Sequence, residues 1–296
     1  MRILITGASG FVGRAVAQHL ILQGHDVVAL VRNSLTAPFV AQTIEATLGS
    51  DNFVESVQQK CREPAEAIIH TAARIDYQNL CQDIIGVNCL GLQQILSVAL
   101  HWNVQTFINF SSIGVIGLPI DNPITEGHST SPRTAYHASK LFGEHFLEAV
   151  ANHQMAAVSL RMTAPVGQNM PATRILPVFL RCAIESKPLT LSGRGTRRQN
   201  YVDIRDVIYA VALCLEHRPR GRFNLGGPYA LSNLELASLC IQSLNSNSKI
   251  EFDGKSDPAD NEIWEVCLKA AKDAFHYTPA YDIRSTITDL MTTALI

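Results

Sequence analysis

Through the first half of the chain, short apolar runs alternate with longer stretches whose apolar residues recur every three or four positions. ILIT (3–6), DVVALV (26–31), EAIIH (66–70), TFINFS (106–111) and AAVSLR (156–161) have strand length. Most are apolar without alternation, the pattern of parallel strands buried on both faces. FVGRAVAQHLILQ (11–23), DIIGVNCLGLQQILSVALHW (83–102) and the segment from Tyr136 through His153 have helical spacing. Strand followed by helix in this rhythm predicts an α/β fold with a doubly wound parallel sheet over residues 1–166.

After Arg161 the texture changes. PVGQNMPATRILPVFL (165–180) is rich in turn formers, and PLTLSGRGTRRQNYVDIRDV (188–207) mixes glycines and arginines with short strands. Amphipathic helices are expected over 229–244 and 281–295. Residues 167–296 therefore read as a smaller substrate-binding lobe, with the chain returning to the first domain around 200–226. Such a lobe belongs at the carboxyl ends of the strands, where open α/β sheets bind ligands.

Composition narrows the function. The 296 residues are 47% hydrophobic and 17% charged, enough for a large core, and the net charge of −2 predicts no broad basic field for nucleic acid. No apolar run approaches the ~20 residues needed to cross a bilayer, and the amino-terminal run is too short for a signal peptide. The 7 cysteines are odd in number and lack Cys-x-x-Cys spacing. They read as free thiols in a reducing cytoplasm, with no metal site.

TGASGFVG (6–13) follows the first strand and opens the first helix. Gly7 suits a tight turn, Gly10 lets a pyrophosphate approach the backbone, and Gly13 lets the helix pack on the sheet. With Phe11 and Val12 they present a helix amino terminus to phosphates, the arrangement of a Rossmann-type dinucleotide site. At the end of the second strand, where an acid would bind the ribose of NAD, stands Arg32. An arginine pairs with a 2′-phosphate, so the expected cofactor is NAD(P), with NADPH favoured; the alternative is a solvent-exposed Arg32 beside NAD.

In PRTAYHASKLFGEH (132–145), Tyr136 and Lys140 are four apart and share one face of a helix. A chance Tyr-x-x-x-Lys arises roughly 0.17 times in a chain of this composition, so its setting decides its meaning. The strand TFINF delivers Ser112 to the same edge of the sheet. Hydride transfer at a C–OH requires a proton to leave or join that oxygen. A phenol near pKa ~10, stabilised as phenolate by a neighbouring ammonium, can carry it. His137 is turned about 100° from Tyr136 and reads as a surface residue, and His70 as packed or adjacent to the cofactor.

The glycine triplet, HTAA (70–73), Ser112 and the Tyr136–Lys140 pair resemble the short-chain dehydrogenase/reductase superfamily. ITE (124–126), LSGRGT (191–196), YVDIRD (201–206), FNLGG (223–227), SNLELA (232–237) and LKAAKDAFHYTP (268–279) extend the resemblance to its extended branch of NAD(P)-dependent sugar-nucleotide epimerases, dehydratases and reductases. The resemblance implies that Ser112 orients substrate and Tyr136 is the acid/base. Lys140 is then the partner of the ribose and phenolate, Ala72 lies against the cofactor and Asn88 is at the catalytic cleft. It also implies a homodimer.

Four departures from that branch change the expectation. Ile113 and Gly114 stand where dehydratases carry Asp-Glu, so dehydration is not expected. Ala164 replaces an asparagine that contacts the nucleotide sugar. Gln199 replaces a diphosphate-binding arginine, although Arg197 or Arg198 beside it could bind a pyrophosphate. No adenine-binding Asp is evident after the third strand, and Asp51 is left unassigned. The resulting expectation is an epimerase similar to UDP-glucose 4-epimerase. Its alternatives are an NADPH-dependent reductase of a keto-sugar nucleotide or another carbonyl, and a non-catalytic NAD(P)-binding regulator.

Overall fold

A computed structural model describes residues 1–77, 83–151 and 154–294, with residues 293 and 294 described by backbone alone. Cys81 and His153 lie outside the described residues. The strands are β1 (Arg2–Thr6), β2 (Asp26–Val31), β3 (Gln42–Glu45), β4 (Ala67–His70), β5 (Thr106–Ser112), β6 (Ala156–Met162), β7 (Ala164–Val166), β8 (Leu189–Leu191), β9 (Arg198–Asp203), β10 (Gly221–Leu225), β11 (Ala230–Ser232) and β12 (Ile250–Phe252). The helices are α1 (Phe11–Leu22), α2 (Phe53–Lys60), α3 (Gly91–His101), α4 (Ala135–Val150), α5 (Ile175–Ile184), α6 (Ile204–His217), α7 (Asn233–Ser243), α8 (Lys269–Phe275) and α9 (Ile283–Ala294).

Seven strands form one sheet in the order β10-β6-β5-β4-β1-β2-β3, and every neighbouring pair is parallel. Its unbroken apolar runs feed two cores. Ile3 and Ile5 join Ile69, Ile108 and Val158 under α1, α6 and α8. Leu4 joins Ile68 and Phe107 under α2 and α3. The inner strands β1, β2, β4 and β5 thus bury both faces, which is why their apolar positions do not alternate. The fold is α/β with a Rossmann-type doubly wound sheet, and its order reverses between β1 and β4, the crevice where such sheets bind ligands.

β10 brings the chain back to the sheet beside β6, with Phe223 in register with Leu160. The remaining carboxyl-terminal strands make two small sheets, β11-β9-β7 and β12-β8. With α5, α7 and α9 they enclose a third core around Leu176, Phe179, Leu189, Tyr201, Leu236 and Ile287. The helix start at α7 is specified locally: Ser232 accepts from the Glu235 amide while the Glu235 carboxylate accepts from Ser232 N–H. Among the described residues no helix is long and apolar enough to cross a membrane, and no His/Cys/Asp/Glu cluster could hold a metal ion.

Candidate active site

The glycine loop closes against the end of β4. Gly7 has φ +74°, and a Cβ there would stand 2.7 Å from both the Ala72 nitrogen and Thr71 Oγ1. A Cβ on Gly13 would stand 2.2 Å from the Gly7 carbonyl oxygen, so neither position tolerates a side chain without movement. Gly10 is the extended residue before α1, which has no side-chain cap and no acidic residue in its first turn. The amides at Phe11 and Val12 are therefore placed for an anion, and the loop fits the pyrophosphate of a dinucleotide. Ala72 donates its N–H to Thr6 Oγ1 at 3.3 Å, holding this edge together. Arg32 is exposed just past β2, and Asp51 is exposed just before α2.

His70 ends β4 beside the loop. Its Nδ1 lies 2.8 Å from Thr6 Oγ1, and burial, aided by the Lys140 charge, pushes its pKa down to about 3. It is a packed neutral imidazole.

Thr134 starts α4 by accepting from the His137 amide at 3.2 Å. Tyr136 and Lys140, one turn apart, are both buried on the inner face. Lys140 Nζ donates to the Phe110 carbonyl on β5 at 2.7 Å and lies 5.9 Å from the Tyr136 ring centre. Burial lowers its pKa to about 8. The phenol does not follow the expected direction in the protein alone. Burial, and then Tyr77, raise the Tyr136 pKa, while the Arg174 charge opposes them. Lys140 Nζ is turned to a strand carbonyl, and loss of hydration outweighs the attraction of the Arg174 charge.

Ser112 ends β5, half-buried, and its Oγ accepts from Gly114 N at 3.2 Å. The preceding hydroxyl, Ser111, turns inward and donates to Glu144. The turn after Ser112 meets α4: a Cβ on Gly114 would lie 2.2 Å from His137 Nε2. The strand carrying Ser112 and the helix carrying Tyr136 and Lys140 are thus in contact at the carboxyl edge of the sheet.

Three residues at this edge escaped the sequence reading or were misplaced by it. His137 is half-buried rather than exposed; its ring lies 5.2 Å from that of Tyr136 and 5.6 Å from that of Tyr77. The helical rotation that separates it from Tyr136 turns it toward Gly114, which the sequence pattern cannot show. Tyr77 packs edge-on against Tyr136 at 5.5 Å, and Arg174, at the start of α5, acts on Tyr136 through its charge. Neither carries a local motif.

Asn88 lies in a π-helical turn, Ile85–Leu90, preceding α3. Its Oδ1 accepts from Arg74 N at 2.7 Å, and its amide donates to Arg74 O at 3.0 Å and Ser139 Oγ at 2.9 Å. Both amide hydrogens are engaged within the protein, so Asn88 ties the segment after β4 to α4. Arg197 and Arg198 separate in the same way. Arg198 pairs with Glu235 at 3.0 Å and donates to Ala230 O at 2.6 Å, whereas the buried Arg197 Nε has no hydrogen-bond partner. Ala164 is in register with Tyr201 across β7 and β9, and Gln199 with Leu231 across β9 and β11.

The chain is similar to known proteins over nearly its whole length. The uncharacterized UDP-glucose epimerase YtcB of Bacillus subtilis is 24% identical over 98% of this chain and 96% of its own. The fold of UDP-glucose 4-epimerase from Thermotoga maritima superposes with a TM-score of 0.88 at 20% identity, covering 99% of this chain and 100% of that one. UDP-glucuronic acid 4-epimerase from Bacillus cereus superposes with a TM-score of 0.85 at 22% identity, with both chains fully covered. The sequence model of the NAD dependent epimerase/dehydratase family matches residues 3–226, spanning the glycine loop, Ser112, Tyr136, Lys140 and the return of β10 to the sheet, and the chain belongs to that family.

Proposed function

We propose that the protein is a nucleotide-sugar epimerase, acting on a UDP-hexose by reversible hydride transfer with Tyr136 as acid and base. The observation that carries this reading is the placement of Tyr136 and Lys140 on the buried face of α4, against the strand that ends in Ser112 and across the edge from the glycine loop. The UDP-sugar class is supported by the similarity to UDP-glucose epimerases along the full chain.

A bound oxidised nicotinamide, its pyrophosphate held at the glycine loop, would supply the hydride acceptor, the donor for its return, and a positive charge that favours phenolate. Ser112 holds the sugar oxygen. Tyr136 takes the hydroxyl proton as that carbon loses hydride and becomes a ketone. Once the keto sugar had turned over and been reduced on its other face, Tyr136 would give the proton back to the same oxygen. Lys140, protonated below about 8, places a positive charge beside the phenol. Ile113 and Gly114 offer no acid for eliminating water, so the reading excludes dehydration.

The exposed Arg32 favours a second reading, an NADPH-dependent reductase of the same substrate class. A homodimer is supported by exposed apolar residues on the helices: Ile85, Leu90 and Phe142, the last stacked on Phe146 at 5.3 Å. The free cysteines among the described residues suit a reducing cytoplasm.

The test is conversion of UDP-glucose and of UDP-glucuronic acid to their 4-epimers, by wild type and by Tyr136→Phe, alongside identification of the nucleotide released on denaturation. The expected result is wild-type epimerisation, a loss of order 10²–10⁴ in Tyr136→Phe, and bound NAD⁺ in both. Net consumption of NADPH without epimer formation would select the reductase. Undiminished turnover in Tyr136→Phe would remove Tyr136 from the chemistry.

A further inference from the structure

His137 follows Tyr136 on α4, yet its ring is held from three sides. Nδ1 lies 3.0 Å from Thr134 Oγ1, the hydroxyl that also caps the helix. The Tyr77 and Tyr136 rings flank it at 5.6 and 5.2 Å. Its far edge rests on Gly114, where a Cβ would come within 2.2 Å of Nε2 and 2.6 Å of Cδ2 and Cε1. Real Cβ atoms do not approach a ring so closely, so glycine is what allows the ring to sit there.

Gly114 in turn donates its N–H to Ser112 Oγ. A continuous run of contacts therefore leads from the cap of the Tyr136 helix, through His137 and Gly114, to the Ser112 hydroxyl. We propose that His137 is a positioning residue, setting the place of the Ser112 hydroxyl relative to the Tyr136 phenol through its contact with Gly114. The proposal rests on the roles given above to Ser112 and Tyr136.

Burial lowers the His137 pKa from its ordinary 6.5, which agrees with a neutral ring wedged between two phenols and a backbone turn. The role needs shape, a fixed Nδ1 contact and the missing side chain at position 114. It needs no proton transfer by His137. Removing the ring would let the Ser112 turn shift toward α4; adding a methyl at 114 would drive the ring, or the turn, outward. Both errors act on the same separation.

The test compares wild type, His137→Ala, Gly114→Ala and the double variant, all as full chains. With UDP-glucose, each single variant is expected to lose about 10- to 100-fold in kcat with KM little changed, because misplacement by about 1 Å acts on the reacting geometry. The double variant is expected to lose no more than the worse single, as residues acting through one contact are not additive. Turnover of His137→Ala within about twofold of wild type, or losses that multiply in the double, would overturn the proposal.

A second arm requires no substrate. The His137 imidazole resonance, assigned by its loss in His137→Ala, is titrated by NMR in wild type and Gly114→Ala. The wild-type pKa is expected below 6.5, rising toward that value when the methyl at 114 displaces the ring toward water. An unchanged pKa would overturn the Gly114 contact. If the wild type converts no nucleotide sugar, the functional reading fails by itself and this arm still decides the contact.

Discussion

Arg161 on β6 and Glu144 on α4 form an ion pair with 0% and 1% of their side chains exposed, Nη2 standing 2.8 Å from Oε2. Arg161 Nε makes further bonds to both carboxylate oxygens at 3.0 and 3.2 Å. Ser111 donates to Glu144 Oε1 at 2.5 Å, and Arg161 Nη1 donates to the Glu126 carbonyl at 3.2 Å. Glu144 lies one turn beyond Lys140 and two beyond Tyr136 on the same buried face. The pair therefore sets the depth and rotation of the helix that carries both residues, against the strand that ends in Ser112.

Breaking this pair from one side leaves a buried charge without its partner. Arg161→Met or Glu144→Gln is expected to lower stability by about 3–5 kcal/mol. Replacing both with methionine is expected to cost much less than the sum of the two single changes, because no charge is left stranded. Urea denaturation of the three variants checks this. Single losses below about 1 kcal/mol would place the pair with ordinary exposed salt bridges.

The parts of the fold and site that the sequence made legible are those written in local spacing. The unbroken runs of β1, β2, β4 and β5 follow from burial on two faces, and Gly7 and Gly13 from a loop pressed against its neighbours. Tyr136 and Lys140 share a face because of the helical repeat alone. What stayed hidden depends on chain segments arriving from elsewhere. The expected helix over 83–102 breaks into a π-helical turn and α3, and the side chain of Asn88 is captured by the backbone of Arg74. No periodicity marks such a capture. Arg197 and Arg198 look equivalent in sequence until Glu235 on α7 takes one of them. His137 was sent outward by the same helical rotation that correctly paired Tyr136 with Lys140, because Gly114 comes to meet it from outside the helix.

Lys140 gives opposite pH dependences to stability and activity. Its folded pKa is lowered by burial from 10.5 to about 8. Between those values the unfolded chain holds a proton that the folded chain has released, so this group adds stability as pH rises through that window. The charge beside Tyr136 disappears over the same window, so turnover is expected to fall above about pH 8. Lys140→Met removes both effects. Unfolding midpoints of wild type and Lys140→Met are expected to differ in slope between pH 8 and 10.5, with the wild type gaining relative to the variant. Parallel curves would mean that Lys140 titrates as an ordinary exposed lysine.

The two neighbouring arginines are expected to part company when UDP binds. Arg198 is engaged with Glu235 and the Ala230 carbonyl, and its loss should be felt in stability. Arg197 keeps a buried Nε without a partner beside Tyr201, whose phenol feels its charge. A buried donor left unbonded is costly, and a diphosphate oxygen relieves that cost with a charge-assisted bond of about 1.5–3 kcal/mol. Arg197→Met is therefore expected to weaken UDP binding by about 10- to 100-fold. Arg198→Met should leave UDP affinity within about threefold of wild type while lowering the unfolding midpoint. Calorimetric titration of each variant with UDP, paired with a thermal melt, separates the two roles. The reverse ordering would assign the diphosphate contact to Arg198 and leave Arg197 as a packed basic residue of β9's approach.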